Sequence, residues 1–215
     1  MAVTKWCWGV AVAMLAGSGP AWADGELARR ITAQDQARLA QYDELRAEAL
    51  ARARAPGTGR EGAEFVRLMS GSLRPVRGGA VDLRGDWQCR IARVGRTTPP
   101  VVHTWFRCRV QDDGSGWRLE KLDGTERTSG RFYDWSDTRM VYLGTAGSPR
   151  DEPPRYGADA DRDQVAYAVR PGADRLRLEF PAPRPDGGLD VLDLRRTPRA
   201  SDRPADDGAK ATPRR

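Results

Sequence analysis

Chemistry-bearing residues are sparse in this 215-residue sequence, which holds three cysteines and one histidine. His103 is the lone histidine, and with Cys89 and Cys108 paired to each other it has no companions for a zinc site. No partner for general-base work stands out near it. Asp159, Asp161 and Asp163 have the alternating acid spacing of a calcium loop. Gln164 stands where an EF-hand needs glycine and Arg170 where it needs glutamate, so the three aspartates form at most a looser calcium candidate. The plainer reading is a solvated loop, with Asp163 bonded to backbone at a strand entrance. Asp112, Asp113, Asp134 and Asp137 suit acid–base chemistry only if the fold gathers them, and the turns they sit in account for them more simply. No serine nucleophile elbow, P-loop or dinucleotide fingerprint is present. The inventory points to a protein without cofactor or metal centre and away from enzyme chemistry.

The elements that must position these residues begin with a hairpin. Trp87 to Val94 and Val101 to Val110 flank a segment of turn formers, Gly95 to Pro100. Setting Cys89 opposite Cys108 places Trp87 opposite Val110 and Ile91 opposite Phe106. All six then share one face, and Gln88, Arg90, Arg107 and Arg109 take the other. A one-residue slip would turn the arginines into the core. A Cys89–Cys108 disulfide is therefore expected, given an oxidising compartment.

The N-terminus supplies that compartment. Lys5, the apolar run Trp6 to Ala16, the breakers Gly17 to Pro20 and the small-x-small site Ala21-Trp22-Ala23 read as a signal peptide over residues 1–23. The run is too short to span a bilayer, and no other membrane span is expected. The expected location is periplasmic or secreted. The net charge of +6 is spread along the chain and carried almost wholly by arginine. That pattern follows codon composition and argues against nucleic-acid binding.

Residues 24–84 read as a helical extension and connector. Thr32 caps a helix over about Ala33 to Ala53, with Asp35 in its first turn. Pro56 to Gly59 break it, and a shorter helix from Glu61 to Met69 follows. From Gly85 to Arg196 the texture becomes eight short alternating strands joined by hairpin-length links, apart from a long loop over Ala146 to Arg162. Such a series favours a mainly β, antiparallel up-and-down barrel over a crossover fold, with a sandwich as the alternative. An interior filled by Trp87, Phe106, Tyr167 and Phe180 would argue against a carrier. Residues 197–215 lack large apolar side chains and are expected to be disordered.

Two resemblances follow. Gly85-Asp86-Trp87 opening the first strand, with Arg195 and Arg196 closing the last, resembles the lipocalin and calycin pattern. That resemblance implies a tryptophan plugging one end of the barrel with an arginine packed across it. If Leu192 and Leu194 face inward the arginine is Arg196; if Leu189 and Val191 do, it is Arg195. The segments Gly85 to Arg90, Trp105 to Arg109, Arg118 to Leu122, Arg127 to Arg131 and Leu189 to Arg196, with the Ile31 to Asp35 helix start, resemble an uncharacterised exported proteobacterial family, domain of unknown function 4893. This second resemblance implies a compartment and a domain boundary, and no activity.

The sequence thus reads as a non-enzymatic exported barrel binding a small apolar ligand or another protein. Trp105, outward by parity beside His103, either lies under the N-terminal helix or marks a partner surface. A barrel that inhibits periplasmic proteases is the alternative, and a hydrolytic enzyme of unknown type the third reading.

Overall fold

The computed structural model describes residues 25–77, 81–151 and 153–197. The expected signal peptide, and the expected disordered tail beyond Thr197, lie outside the described residues. Four helices come first: α1 (Gly25–Arg30), α2 (Ala33–Ala40), α3 (Tyr42–Ala53) and α4 (Gly59–Met69). Nine strands follow: β1 (Gly85–Val94), β2 (Val101–Val102), β3 (Phe106–Asp112), β4 (Trp117–Lys121), β5 (Arg127–Ser136), β6 (Arg139–Gly147), β7 (Asp163–Gly172), β8 (Arg175–Pro181) and β9 (Leu189–Arg196). Sequential strands pair antiparallel. β1 also pairs with β9, from Trp87 opposite Arg196 to Val94 opposite Leu189, and this closes an eight-rank barrel. The ninth strand is β2, which lies beyond β3 along the same edge of β1.

The hairpin keeps its faces but not its expected register. Trp87 lies opposite Cys108, Cys89 opposite Phe106 and Gly85 opposite Val110. A shift of two residues leaves every side chain on its original face, so alternation alone does not distinguish the two registers. The Cys89–Cys108 disulfide forms between diagonal neighbours, with Cα atoms 5.8 Å apart, inside the usual range. The second arm is also interrupted. Three residues, His103 to Trp105, separate β2 from β3 where β1 offers two. The extra residue is accommodated as a bulge, and the His103 amide still donates to the Ile91 carbonyl at 2.9 Å.

The barrel interior is an apolar column that includes Trp87, Leu119, Phe132, Tyr142, Leu178 and Leu194. Tyr167 is not part of it. It faces outward and packs with Leu39 and Tyr42 of the helices, while the small Ala166 and Ala168 face in. The sequence misleads here because β6 to β9 are buried on both faces, and alternation loses its meaning when helices cover the outside. The room left by the alanines is taken by Tyr142. A Cβ on Gly144 would lie 2.3 Å from the Tyr142 hydroxyl, and one on Gly130 2.7 Å from its ring. These two glycines face each other across β5 and β6, and they let the ring lie along the wall.

Two helical layers cover the outer wall. Leu27, Ile31, Leu39 and Tyr42 pack on Val141, Leu143, Val165 and Tyr167. Ala49, Ala53, Phe65, Leu68 and Met69 pack on Ala92, Val94, Leu189 and Val191. Burying an anchor such as Phe65 contributes about 1.5–3 kcal/mol. The single helix expected over Ala33 to Ala53 is broken at Gln41. Its amide donates to the Arg38 carbonyl at 3.2 Å, one tighter turn between α2 and α3. Thr32 caps α2 as expected, its Oγ1 accepting from the Asp35 amide at 3.2 Å.

Charged groups also lie between the helices and the wall. Glu179 is fully buried and accepts from Tyr42 at 2.8 Å, Arg46 at 3.1 Å and Arg177 at 2.7 Å. Arg177 in turn donates to the Leu68 carbonyl at the end of α4. This network ties α3 and α4 to β8.

Candidate functional site

One end of the barrel is shut. Trp87 is buried, and its indole Nε1 donates to the Leu83 carbonyl at 3.0 Å. The Arg196 guanidinium lies 4.5 Å over its ring and donates to the Arg84 carbonyl at 2.7 Å. Val76 and Leu83 of the connector join the same core. Because Leu192 and Leu194 face inward, Arg196 is the closing arginine. Arg195 points to the outer wall and stacks on Trp105 at 4.6 Å instead.

The opposite end is open. Ile91 and Arg93 near the end of β1, Lys121 at the end of β4, Thr128 near the start of β5, Gln164 near the start of β7 and Phe180 near the end of β8 surround a cavity of about 300 Å³. This is the lower end of the range in which small molecules bind. Its floor is Ile91, Phe180 and Leu192 on one side. On the other, Thr128 bonds to both Tyr142 (2.7 Å) and Gln164 (2.6 Å). Below these the aromatic rings of Phe132, Tyr142 and Phe180 fill the barrel, with centroids 5.6–5.9 Å apart.

The rim is charged. Arg93 pairs with Glu126 and with Asp190 at 3.1 Å, and Arg184 also pairs with Asp190. Burial pushes the Asp190 carboxyl above its usual range, against the pull of Arg184 and Arg93. Lys121 is different. It is 5 % exposed, its ammonium donates to the carbonyls of Asp123 (2.7 Å) and Glu126 (2.6 Å), and it lies 4.0 Å over the Phe106 ring. Among the described residues neither Lys121 nor Arg127 beside it makes an ion pair. Burial, then the Arg127 charge, holds the Lys121 ammonium below its ordinary pKa. An ammonium has three donors; two go to these carbonyls, and the Phe106 ring lies against the same group.

His103 is exposed on the outer rim of this end, beside a smaller hollow shared with Phe106, Lys121 and Glu126. Trp105 is half-buried, and its ring is held between Arg195 and Arg90, the latter at 4.4 Å. Arg90 in turn pairs with Glu64 of α4 at 2.6 Å. His103 and Trp105 therefore remain near the surface, outside the two helical layers.

The calcium candidates are engaged with backbone amides. The Asp163 carboxylate is buried and accepts from the Gly157 amide at 2.9 and 3.1 Å; Asp159 Oδ1 accepts from the Asp161 amide at 3.1 Å. Among the described residues no group of three or more His, Cys, Asp or Glu is arranged to hold a metal. Of the turn aspartates, Asp112 and Asp134 line one open hollow with Glu26, and each of the four is held locally. Asp112 accepts from the Gly114 amide at 3.0 Å, Asp113 pairs with Arg131, Asp134 pairs with Arg77 at 3.4 Å, and the Asp137 carbonyl accepts from Val76 at 2.8 Å.

Sequence reading missed the rim residues Arg93, Lys121, Glu126, Arg184 and Asp190. A signal for Lys121 exists. It is the one lysine between Lys5 and Lys210 in an arginine-rich chain, and it stands two residues after the inward-facing Leu119, so parity sends it inside.

No curated protein matches the chain. A family model described as a domain of unknown function, DUF4893, matches residues 28–194. That span takes in the helical layers together with the barrel, from Ala28 in α1 to Leu194 in β9. The chain therefore belongs to the DUF4893 family.

Proposed function

We propose that this protein is an exported, non-catalytic barrel that binds a small amphipathic acid at its open end. The observation that carries the reading is Lys121, a buried ammonium lining the cavity that makes no ion pair among the described residues. A carboxylate or similar head group on the ligand would supply the missing counter-charge, with Arg127 adding a second positive charge. Ile91, Phe180 and Leu192 offer an apolar floor for a short chain. The filled lower barrel limits the ligand to something small. Export is supported by the N-terminal sequence and by the Cys89–Cys108 disulfide, a bond that persists in oxidising compartments. The protease-inhibitor alternative gains no support from the described N-terminus, where α1 is folded back with Leu27 buried under the wall.

A competition titration tests this reading. Anilinonaphthalene sulfonate bound to the protein is displaced with octanoate or with 1-octanol. Octanoate is expected to displace it and octanol to do so much more weakly. Lys121→Met should weaken octanoate by about tenfold to a hundredfold, the worth of a charge-assisted hydrogen bond of about 1.5–3 kcal/mol. Failure of both ligands to compete would refute binding at the mouth.

A further inference from the structure

A second concavity lies on the outside of the barrel. It is about 640 Å³, larger than the mouth, and its walls come from three places. Arg29 and Arg30 stand in the last turn of α1, Arg118 and Arg131 on β4 and β5, and Arg155 on the loop between β6 and β7. Among the described residues, five arginines and no carboxylate line it. The sequence spreads its arginines along the chain, and the fold collects these five from distant stretches.

Three of the five are oriented by carboxylates that stand outside the cleft. Arg30 pairs with Glu26 at 2.9 Å, Arg118 with Glu120 at 3.1 Å, and Arg131 with Asp113. Arg118 also donates to the Ser129 hydroxyl at 2.9 and 3.2 Å. Arg29 and Arg155 are exposed and make no ion pair among the described residues. They belong to different walls, α1 and the loop.

The loop wall is built firmly. Pro153 and Pro154 precede Arg155. The Pro154 carbonyl accepts from Thr145 Oγ1 at 3.0 Å. Tyr156, on the other side of Arg155, donates its hydroxyl to the buried Asp35 at 2.6 Å and accepts from the Thr32 amide at 3.2 Å. The capping residues of α2 thus also fix the backbone that carries Arg155. An arginine-rich composition alone would put carboxylate partners in such a cleft as often as elsewhere on this surface. Among the described residues the carboxylates that pair with Arg30, Arg118 and Arg131 do not line the cleft.

We infer that this cleft is a binding site for a ligand bearing two phosphate groups, one met by Arg29 on the α1 wall and one by Arg155 on the loop wall. Guanidinium forks match phosphate oxygens in bidentate geometry, which suits arginine better than lysine to this role. The volume accommodates a pyrophosphate or a bis-phosphorylated sugar. Such chemistry occurs in free phosphate esters and in lipid head groups.

Calorimetric titration of the full chain with pyrophosphate, against orthophosphate at matched ionic strength, tests the site. Pyrophosphate should bind saturably and at least tenfold more tightly than orthophosphate. Arg29→Ala and Arg155→Ala should each weaken it at least tenfold, while Arg60→Ala on α4 should leave it unchanged. All three residues are exposed, and circular dichroism checks that the variants fold. A second arm uses flotation with phosphatidylcholine vesicles containing cardiolipin, whose head group carries two phosphates. Co-flotation lost in Arg29→Ala and Arg155→Ala assigns the lipid source; pyrophosphate binding without co-flotation assigns a free ester. Absence of both kinds of binding, equal affinity for orthophosphate, or binding indifferent to both substitutions would overturn the inference.

Discussion

Glu179→Gln should be among the most damaging single substitutions in this protein. The carboxylate is fully buried between the wall and the helices and accepts from Tyr42, Arg46 and Arg177. Arg177 is 2 % exposed, so removing the negative charge leaves a buried guanidinium without its ion-pair partner. Breaking one side of such a pair typically costs about 3–5 kcal/mol. Arg46 is about a third exposed and recovers part of its solvation, so the loss centres on Arg177. Whole domains are stable by only about 5–15 kcal/mol, so the variant should approach the unfolding threshold. Replacing both members, Arg177→Met with Glu179→Gln, should cost clearly less than the sum of the singles, because neither change then strands a charge. Some cost stays, since the Leu68 carbonyl at the end of α4 loses its donor. Urea unfolding followed by circular dichroism gives the free energies, and an unchanged m-value keeps the comparison valid. A Glu179→Gln cost below about 1 kcal/mol, or strict additivity of the pair, would refute the network as the tie between helices and barrel.

Cys89→Ser and Cys108→Ser should each cost up to about 3 kcal/mol by chain entropy, given a separation of 19 residues, and the double variant should be no worse than either single by thermal melt. Arg196→Ala should cost about 1–2 kcal/mol through lost stacking and hydrogen bonding at the closed end, whereas Arg195→Ala should chiefly change Trp105 fluorescence; silence of both in denaturant melts would refute the closure. Tyr42, Tyr142 and Tyr156 are each held above the ordinary tyrosine pKa, first by burial, with Glu179 adding for Tyr42 and Asp35 for Tyr156. Their contribution is full below about pH 10, the unfolded value, and is lost as pH rises through the folded values. Absorbance near 295 nm should therefore show these phenols ionising together with alkaline unfolding, not in an independent step before it.

Much of the scaffold was legible because its signals are local. Turn residues, alternation and the Gly85-Asp86-Trp87 start identify the strands; they leave Arg195 and Arg196 both open as the closing arginine, and the inward Leu192 and Leu194 of the structure decide for Arg196. The register of the first hairpin was not legible, because a two-residue shift preserves every face. Tyr167 was misassigned because helices bury the outside of β7, a tertiary fact that alternation does not encode. The single helix over Ala33 to Ala53 likewise hid a break at Gln41, where no proline or glycine marks it. Asp35 was visible as a first-turn acid, while its bond to Tyr156 across the fold was not. The open-end rim joins β1, β4, β5, β7 and β9 with the Pro181 to Gly188 turn, and only barrel closure brings those stretches together.

The central claim is that the open end binds a small amphipathic acid. It is tested most directly by methyl NMR of the isoleucine- and leucine-labelled protein during titration with octanoate. The account predicts saturable shifts at the Ile91 and Leu192 methyls, with Leu27 and Leu68 under the helices unmoved, and loss of saturation at the same concentrations in Lys121→Met. Shifts confined to the helical layers, or an unchanged affinity in Lys121→Met, would contradict it.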